Sequence, residues 1–353
     1  MSDSIVAQKR LMERLHKAGS IKSTQLTKSS LFTEKDVIPT AVPMVNVALS
    51  GKLDGGLTNG LTVLAGPSKH FKTAFGLLMM KAYMDKYPGA ICLFYDSEFG
   101  TPEHYFSSLK IDTDRVMHIP IKNVEELKFD LVKQLEEIGI EDKVYVMIDS
   151  IGNLASKKEV DDARDEKSVA DMTRAKQLKS LFRMVTPYLA MNDVPLVAVN
   201  HTYQTQEMFS KAVVSGGTGV YYSADNIWII GRQQEKKGTE IEGYNFIINV
   251  EKSRFVKEKS KIPISVTWEG GIKKWSGLLD VALEGEFVVK PTMGWYSKVD
   301  METGVAEENK VRAAVTDTKE FWDGIIDHPK FMKYVEEKYS MGSRLLQSID
   351  ADE

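Results

Sequence analysis

The chain has 353 residues, enough for one large core with appendages or for two modest domains. Hydrophobic residues make up 42% and charged residues 27%, which excludes wholesale disorder, and no apolar run approaches the ~20 residues that cross a bilayer. A net charge of −4 argues against a generally basic nucleic-acid binder, so any such partner must meet a local basic surface.

At the start of the chain, residues 1–20 mix Lys, Arg and Glu with isolated apolar residues and lack the apolar centre of a secretion signal. Residues 5–19 have the period of a short amphipathic helix ending at Gly19. The polar stretch that follows, to about Thr33, offers no core. A helix on such a tether frays or docks onto another body, which in an oligomer is the next subunit. The folded core begins near residue 35, turns apolar at 45–51, and passes a Gly-containing run at 55–60.

Residues 61–65 then read as a buried strand, Gly66-Pro67-Ser68-Lys69-His70-Phe71-Lys72-Thr73 as a tight loop, and 74–84 as a buried helix. That succession is a phosphate cradle. Backbone N–H groups and the helix N-terminus face the phosphates, Lys72 supplies a cation, and the Thr73 hydroxyl ligates Mg²⁺. The full P-loop pattern has Gly before the Lys, where this chain has Phe71, so the loop is expected to avoid positive φ there. A surface turn rich in Gly and Lys is the alternative; the flanking strand and helix favour the cradle.

Further apolar strands fall at 90–95, 116–120, 144–149 and 194–200, separated by helical patterns at 74–87, 102–110, 123–138 and 168–191. Strands apolar throughout and alternating with helices imply a parallel sheet covered on both faces, with active residues at the strands' carboxyl ends. The single cysteine, Cys92, lies inside an apolar run and reads as a buried structural thiol in a reducing cytoplasm. After residue 220, strands at 227–230, 244–250 and 262–268 follow without helices, joined by a turn holding Gly238 and by a basic loop, so they extend the sheet antiparallel. Beyond Gly270-Gly271 comes a smaller mixed region with apolar segments at 278–283, 287–289 and 294–296 and helical patterns near 319–327 and 329–339. A domain boundary is expected near Trp275, and the acidic end at 350–353 is expected to fray.

The strand ends carry the chemistry an NTPase needs. Asp149 closes an apolar strand in the manner of a Walker-B acid and would share the Mg²⁺ shell with Thr73, while Glu98 follows the strand after the P-loop helix and would poise the attacking water. Each acid would otherwise be a turn or helix cap. Asn200 or His201 could sense the γ-phosphate, although a lone His is more often a hydrogen-bonded core residue. Residues 202–219 show neither strand nor helix period; Met208 and Phe209 would be wedges or stacking groups on a Gly216-Gly217 hinge, or the segment is a lid over the nucleotide. In 252–261 five of ten residues are basic against one acid, which is either a solvated face or a DNA contact.

Taken together, Ser50-Gly51, Gly55-Gly56-Leu57, Tyr95-Asp96-Ser97-Glu98, Ile148-Asp149-Ser150, Asn200-His201, Gly216-Gly217 and Val250-Glu251-Lys252-Ser253-Arg254 closely resemble the RecA-type recombinases. The resemblance covers nearly the whole chain and is nearest to the branch found in T4-type bacteriophages, where Phe likewise replaces the P-loop Gly. It implies a RecA-like P-loop ATPase core, mostly parallel with an antiparallel extension, over 35–274; an N-terminal oligomerisation arm over 1–34; and a small C-terminal α+β lobe over 275–353. The activity implied is ATP- and Mg²⁺-dependent: helical filaments on single-stranded DNA, then homologous pairing and strand exchange with double-stranded DNA in recombination, repair and recombination-dependent replication. The setting implied is the host bacterial cytoplasm, with a single-strand-binding protein and a loader as helpers and no membrane.

By the same resemblance Glu98 is the catalytic glutamate, His201 stands where the family has a γ-phosphate-sensing glutamine, and Tyr105 stacks on adenine. Lys252 and Arg254 match two lysines that reach the ATP of the neighbouring subunit, a role that competes with a DNA reading of the basic run. DNA contacts are implied in a loop within about 153–168, including Lys157 and Lys158, and in a loop at 202–217, including Met208, Phe209, Lys211, Gly216 and Gly217; Lys257, Lys259 and Lys261 are further candidates. Two other readings remain at this point: a hexameric RecA-fold helicase, and a P-loop kinase, which would need a lid with Arg residues that 202–217 does not contain.

Overall fold

A computed structural model of the chain describes residues 3–21, 23–29, 31, 36–165, 173–205, 212–237 and 240–342. The chain divides into two units, 1–36 and 37–353. The first is built on α1 (Asp3–Ala18), closed where the Gly19 N–H reaches the Leu15 carbonyl at 3.0 Å. Ile5, Leu11, Met12 and Leu15 stay exposed, a helical-period apolar stripe.

The second unit opens with α2 (Pro43–Ser50), β1 (Gly60–Ala65), α3 (Lys72–Lys86), β2 (Ile91–Asp96), α4 (Glu103–Ser108), β3 (Val116–Pro120), α5 (Val124–Glu137) and β4 (Val144–Asp149). It continues through α6 (Lys157–Arg164), α7 (Thr173–Met191), β5 (Pro195–Asn200), β6 (Thr202–Gln204), β7 (Ala212–Val214), α8 (Thr218–Ser223), β8 (Asn226–Lys237), β9 (Glu240–Lys252), β10 (Lys261–Thr267) and β11 (Gly271–Ile272). The last elements are α9 (Leu278–Glu284), β12 (Val288–Thr292), β13 (Trp295–Lys298), β14 (Val311–Arg312), α10 (Lys319–Trp322) and α11 (Pro329–Tyr339).

Nine strands form one sheet in the order β11-β10-β9-β8-β1-β5-β4-β2-β3. From β8 to β3 the pairing is parallel, and β9, β10 and β11 add to β8 antiparallel. Period-2 alternation sends the strands' apolar side chains to two cores. Leu64, Phe94, Tyr145, Met147, Val197 and Trp228 face α2, α3 and the C-terminal elements. Leu61, Val63, Tyr95, Val146, Ile148 and Leu196 face α5 and α7 through Leu127, Leu131, Leu181 and Phe182. Each such burial is worth about 1.5–3 kcal/mol, so the sheet between two helical layers is the rigid platform for whatever its strand ends carry. Cys92 is buried here, and burial pushes its thiol up to about 12. Trp322, Phe331 and Val335 of α10 and α11 pack into the same core as α2 and β10. Among the described residues no helix is long and apolar enough to cross a membrane.

Several local expectations need correction. The segment after His201 is not without regular structure: β6 and β7 pair as a hairpin, with Thr202 opposite Val214 and Gln204 opposite Ala212, and α8 follows. Strands of three residues are too short to leave a readable period. Met208, Phe209 and Lys211 lie outside the described residues, as does Gly238. Lys157 and Lys158 sit not in a loop but in the first turn of α6, where the Ser156 side chain accepts from the Glu159 N–H at 3.0 Å; Ser156 and Glu159 have the spacing of a capping box. The helical pattern near 319–327 shortens to α10 because Gly324 takes φ +82° beyond it. The pattern at 168–191 is described only from Thr173.

Candidate functional site

The loop from Gly66 to Phe71 joins β1 to α3 at the carboxyl edge of the sheet. A Cβ on Gly66 would come within 2.9 Å of the Ile230 carbonyl oxygen on β8, so only glycine lets the two strands meet there. Lys72 is buried and its Nζ donates to the Pro67 carbonyl at 2.7 Å, folding the loop over its own ammonium. Burial lowers the Lys72 pKa against the opposing pull of Glu98 and Asp149.

Phe71 overturns one expectation: it adopts φ +60°, ψ 16°, the left-handed region the sequence was expected to avoid. That conformation costs a residue with a Cβ about 1–2 kcal/mol. The cost is offset by packing, since the Phe71 ring stacks on Phe246 of β9 at 5.2 Å with a 22° interplanar angle and meets Phe75 edge-on at 6.1 Å. Phe71 also leaves α3 without a side-chain cap, so the first-turn N–H groups remain open to an anion.

Two acids face this loop. Asp149, at the end of β4, accepts from the Thr73 hydroxyl at 2.7 Å through Oδ2, while Oδ1 is buried with no hydrogen-bond partner. Burial raises the Asp149 pKa to about 6, with the charges of Glu98 and Asp96 pushing the same way against the Thr73 bond. Glu98 lies just beyond β2. Its Oε1 is met by the Ser150 hydroxyl at 2.6 Å, the Asn153 amide at 3.0 Å and His201 Nε2 at 3.1 Å. The His201 contact, and after it the Ser150 bond, hold Glu98 below the usual carboxylate range despite partial burial. An ionised carboxylate only accepts, so Nε2 of His201 carries the hydrogen.

His201 is tied onward to the β6–β7 hairpin. Its carbonyl accepts from the Ser215 N–H at 2.9 Å, and Asn200 Nδ2 donates to the Ser215 carbonyl at 2.7 Å. Gly216 (φ +95°) and Gly217 (φ +77°) come next and lead into α8. A group that hydrogen-bonds Glu98 is thereby one residue from the hairpin whose far strand ends at Val214.

The loop, the two acids, Tyr105 and His201 open onto one cavity of 440 Å³, completed by Arg232, Tyr244, Phe246, Val266 and Trp268 from β8, β9, β10 and the residue after β10. Its lining combines charged and aromatic side chains. The volume falls in the range of small-molecule sites. A nucleoside triphosphate with Mg²⁺ fits this donor set on two observations: α3 offers uncapped N–H groups beside Lys72, and the orphaned Oδ1 of Asp149 is a buried oxygen in want of a cation. Mg²⁺ is typically held by one or two protein oxygens together with phosphates and water, so the Thr73–Asp149 pair suffices, and among the described residues no group of three or more His, Cys, Asp or Glu offers an alternative metal site.

Sequence reasoning missed the aromatic wall. Tyr244 and Phe246 alternate along β9, and Arg232 lies over the Tyr244 ring at 4.5 Å with its Nη1 at 3.4 Å from the Lys69 carbonyl. The alternation was visible in the sequence, but which face it presents to the P-loop is set by the register of three antiparallel strands. Ser150 and Asn153 were also missed; they lie one and four residues after Asp149, and only the approach of β2 to β4 brings them onto Glu98.

Lys252 and Arg254 do not enter this cavity. Lys252 Nζ donates to the Tyr221 carbonyl at 2.8 Å, and the Arg254 guanidinium pairs with the buried Asp225 at 2.6 Å while most of its side chain stays in solvent. Lys257 donates to the Glu337 and Lys338 carbonyls at the end of α11, and Lys259 pairs with Glu251 at 2.6 Å. Lys158 bonds Asp162 within α6.

A P-loop between the central strand and its helix, a Walker-B acid two strands along on β4, and an acid just past the end of the next strand, β2, define a P-loop nucleotide-binding protein with the RecA fold. The comparisons give the lineage. Residues 6–273 match the RecA N-terminal domain family, and residues 275–335 match the family described as the C-terminal domain of the bacteriophage T4 recombination and repair protein. The chain belongs to the RecA family and is a RecA-type recombinase. It is 53% identical over 348 residues to the "Recombination and repair protein" of Enterobacteria phage T4, covering 97% of this chain and 88% of that protein. It is also 25% identical to "Protein RecA" of Kineococcus radiotolerans over 90% of this chain and 87% of that one, and 24% identical to "Protein RecA" of Clostridioides difficile over 78% and 77%.

Proposed function

We propose that this recombinase is a DNA-dependent ATPase that forms a helical filament on single-stranded DNA and exchanges strands with a homologous duplex. The observation that carries the ATPase reading is the cluster of Lys72, Thr73, Asp149 and Glu98 around one cavity, with the Asp149 Oδ1 unpaired. The loop 66–71 and the first turn of α3 hold the β- and γ-phosphates, Lys72 balances their charge, and Thr73 with Asp149 carries Mg²⁺. The metal, when bound, neutralises charge on the phosphate oxygens. Glu98, kept ionised, orients the attacking water and accepts its proton. Tyr105 and the aromatic wall bracket the base. His201, bonded to Glu98, reads whether the γ-phosphate is present and transmits that state through Ser215 to the hairpin.

Lys252 and Arg254 serve a second copy. Neither lines its own cavity, and Arg is suited to bidentate phosphate contact. ATP would then lie between protomers, so that hydrolysis loosens an interface and a DNA segment together. The stripe on α1 docks on the adjacent subunit, making residues 1–34 an arm, with the core over 35–274 and a small lobe over 275–353. DNA is held by the two segments after β4 and β5, without sequence readout. A single-strand-binding protein and a loader are the expected helpers.

The test is strand exchange between circular single-stranded DNA and a homologous linear duplex. Joint molecules that require homology, ATP and Mg²⁺ are the expected product. Duplex unwinding that ignores homology would replace this reading with that of a RecA-fold helicase.

A further inference from the structure

The guanidinium of Arg174, on α7, is half-buried and sits between the two segments that follow β4 and β5. Its Nε donates to the Leu154 carbonyl at 2.6 Å, its Nη2 to the carbonyls of Ile151 at 2.8 Å and Gly152 at 2.7 Å, and its Nη1 lies 3.5 Å from the Ser215 hydroxyl. Among the described residues no carboxylate forms an ion pair with it, and burial lowers its pKa, with Glu159 the charge opposing that shift. Even partial burial of a cation without a counter-ion carries a desolvation cost. What the planar fork supplies is geometry: three carbonyls of one loop fixed to one rigid group.

Those carbonyls bracket Asn153, whose amide holds Glu98 at 3.0 Å. Gly152, fixed by its carbonyl, lies against the His201 ring so closely that an added Cβ would fall 2.3 Å from Cδ2. Ser215, at the other side of the guanidinium, is the residue whose backbone is bonded to both Asn200 and His201. Arg174 therefore contacts the segment that carries Gly152 and Asn153 and, through Ser215, the segment bonded to Asn200 and His201, without touching the Glu98–His201 pair itself.

We propose that Arg174 is a positioning residue that locks the segment after β4 to the segment after β5, and that through this lock occupancy of either segment by DNA sets the geometry of Glu98 and His201. The inference rests on the ATPase reading above. It makes the stimulation of hydrolysis by DNA, rather than DNA affinity or ATP affinity, the property that depends on Arg174. Lysine keeps the charge but gathers its three donors on one nitrogen, which cannot reach the three carbonyls and the hydroxyl that the separate nitrogens of the guanidinium reach.

The experiment measures ATP hydrolysis by the full chain with and without single-stranded DNA, for the wild type, Arg174→Lys and Ser215→Ala. Binding of labelled single-stranded DNA with a slowly hydrolysed ATP analogue is measured alongside by fluorescence anisotropy. Arg174→Lys is expected to lose at least tenfold in DNA-stimulated kcat, with the DNA-free rate, the KM for ATP and the DNA affinity each within about threefold of wild type. Ser215→Ala is expected to lose part of the stimulation in the same manner. Equal losses with and without DNA would reduce Arg174 to a structural residue, and a parallel fall in DNA affinity with a shallower salt dependence would make it a phosphate contact; either overturns the proposal, as does an unchanged stimulation. If the wild type shows no DNA-stimulated hydrolysis, the functional reading itself fails.

Discussion

Replacing Phe71 separates two opposing energies at the P-loop. At φ +60° any side chain with a Cβ bears about 1–2 kcal/mol of strain. Against that, the Phe71 ring makes a stacked contact with Phe246 and an edge contact with Phe75, each worth about 0.5–1.5 kcal/mol, and half-buries an aromatic surface worth about 1 kcal/mol more. Phe71→Ala removes the ring and keeps the strain, so it should cost about 2–4 kcal/mol. Phe71→Gly removes the ring but also the strain; after the extra entropy of a glycine in the unfolded chain, about 0.5–1 kcal/mol, it should be the more stable of the two by roughly 0.5–1 kcal/mol. Urea unfolding of the nucleotide-free protein, followed by circular dichroism, orders the three proteins as wild type, glycine, alanine, with similar m-values. An alanine variant at least as stable as the glycine variant would refute the left-handed assignment, and no loss in either would refute the stacking.

Other substitutions test other parts of the site. Lys72→Ala should abolish ATP turnover in a phosphate-release assay, and unchanged hydrolysis would remove the P-loop assignment. Asp149 has a folded pKa of about 6, above its unfolded value, so its ionisation opposes folding and the nucleotide-free protein should lose stability as pH rises from about 4 through about 6. Asp149→Asn should accordingly stabilise the fold at pH 7.5 by on the order of 2–3 kcal/mol, seen as a higher thermal midpoint, while ending Mg²⁺-dependent nucleotide binding; a destabilised variant would contradict the buried, unpaired carboxylate. His201→Ala removes the contact that keeps Glu98 acidic, so the acid limb of the kcat–pH profile should move upward, and an unmoved limb would argue that Glu98 is not the group being read. Lys252→Ala should reduce DNA-stimulated hydrolysis more than DNA-free nucleotide binding. It is a cleaner probe than Arg254→Ala, which would also leave the buried Asp225 without its ion-pair partner.

The sheet was legible in the sequence because its strands are apolar throughout and its helices have the length to cross over, and the P-loop because strand, glycine and lysine stand in immediate succession. Phe71 was misjudged for the opposite reason: its tolerance of positive φ comes from Phe246, which no local pattern connects to it. α6 carried a readable Ser156–Glu159 capping box, and α2 a proline at its first turn with Gly51 at its end, so both could have been found from end signals alone. The β6–β7 hairpin could not, since three residues per strand leave no period. Arg174 shows the deepest limit. A single Arg in a helical pattern reads as solvated, and only the convergence of two strand-end segments turns it into the group that joins them.

The most direct test of the filament reading is electron microscopy of the negatively stained protein with single-stranded DNA, with and without a slowly hydrolysed ATP analogue. Continuous helical filaments that form on the DNA only with the nucleotide are the predicted result. Closed rings, or no assembly on DNA, would contradict the strand-exchange filament and leave the nucleotide site as the part of the account still standing.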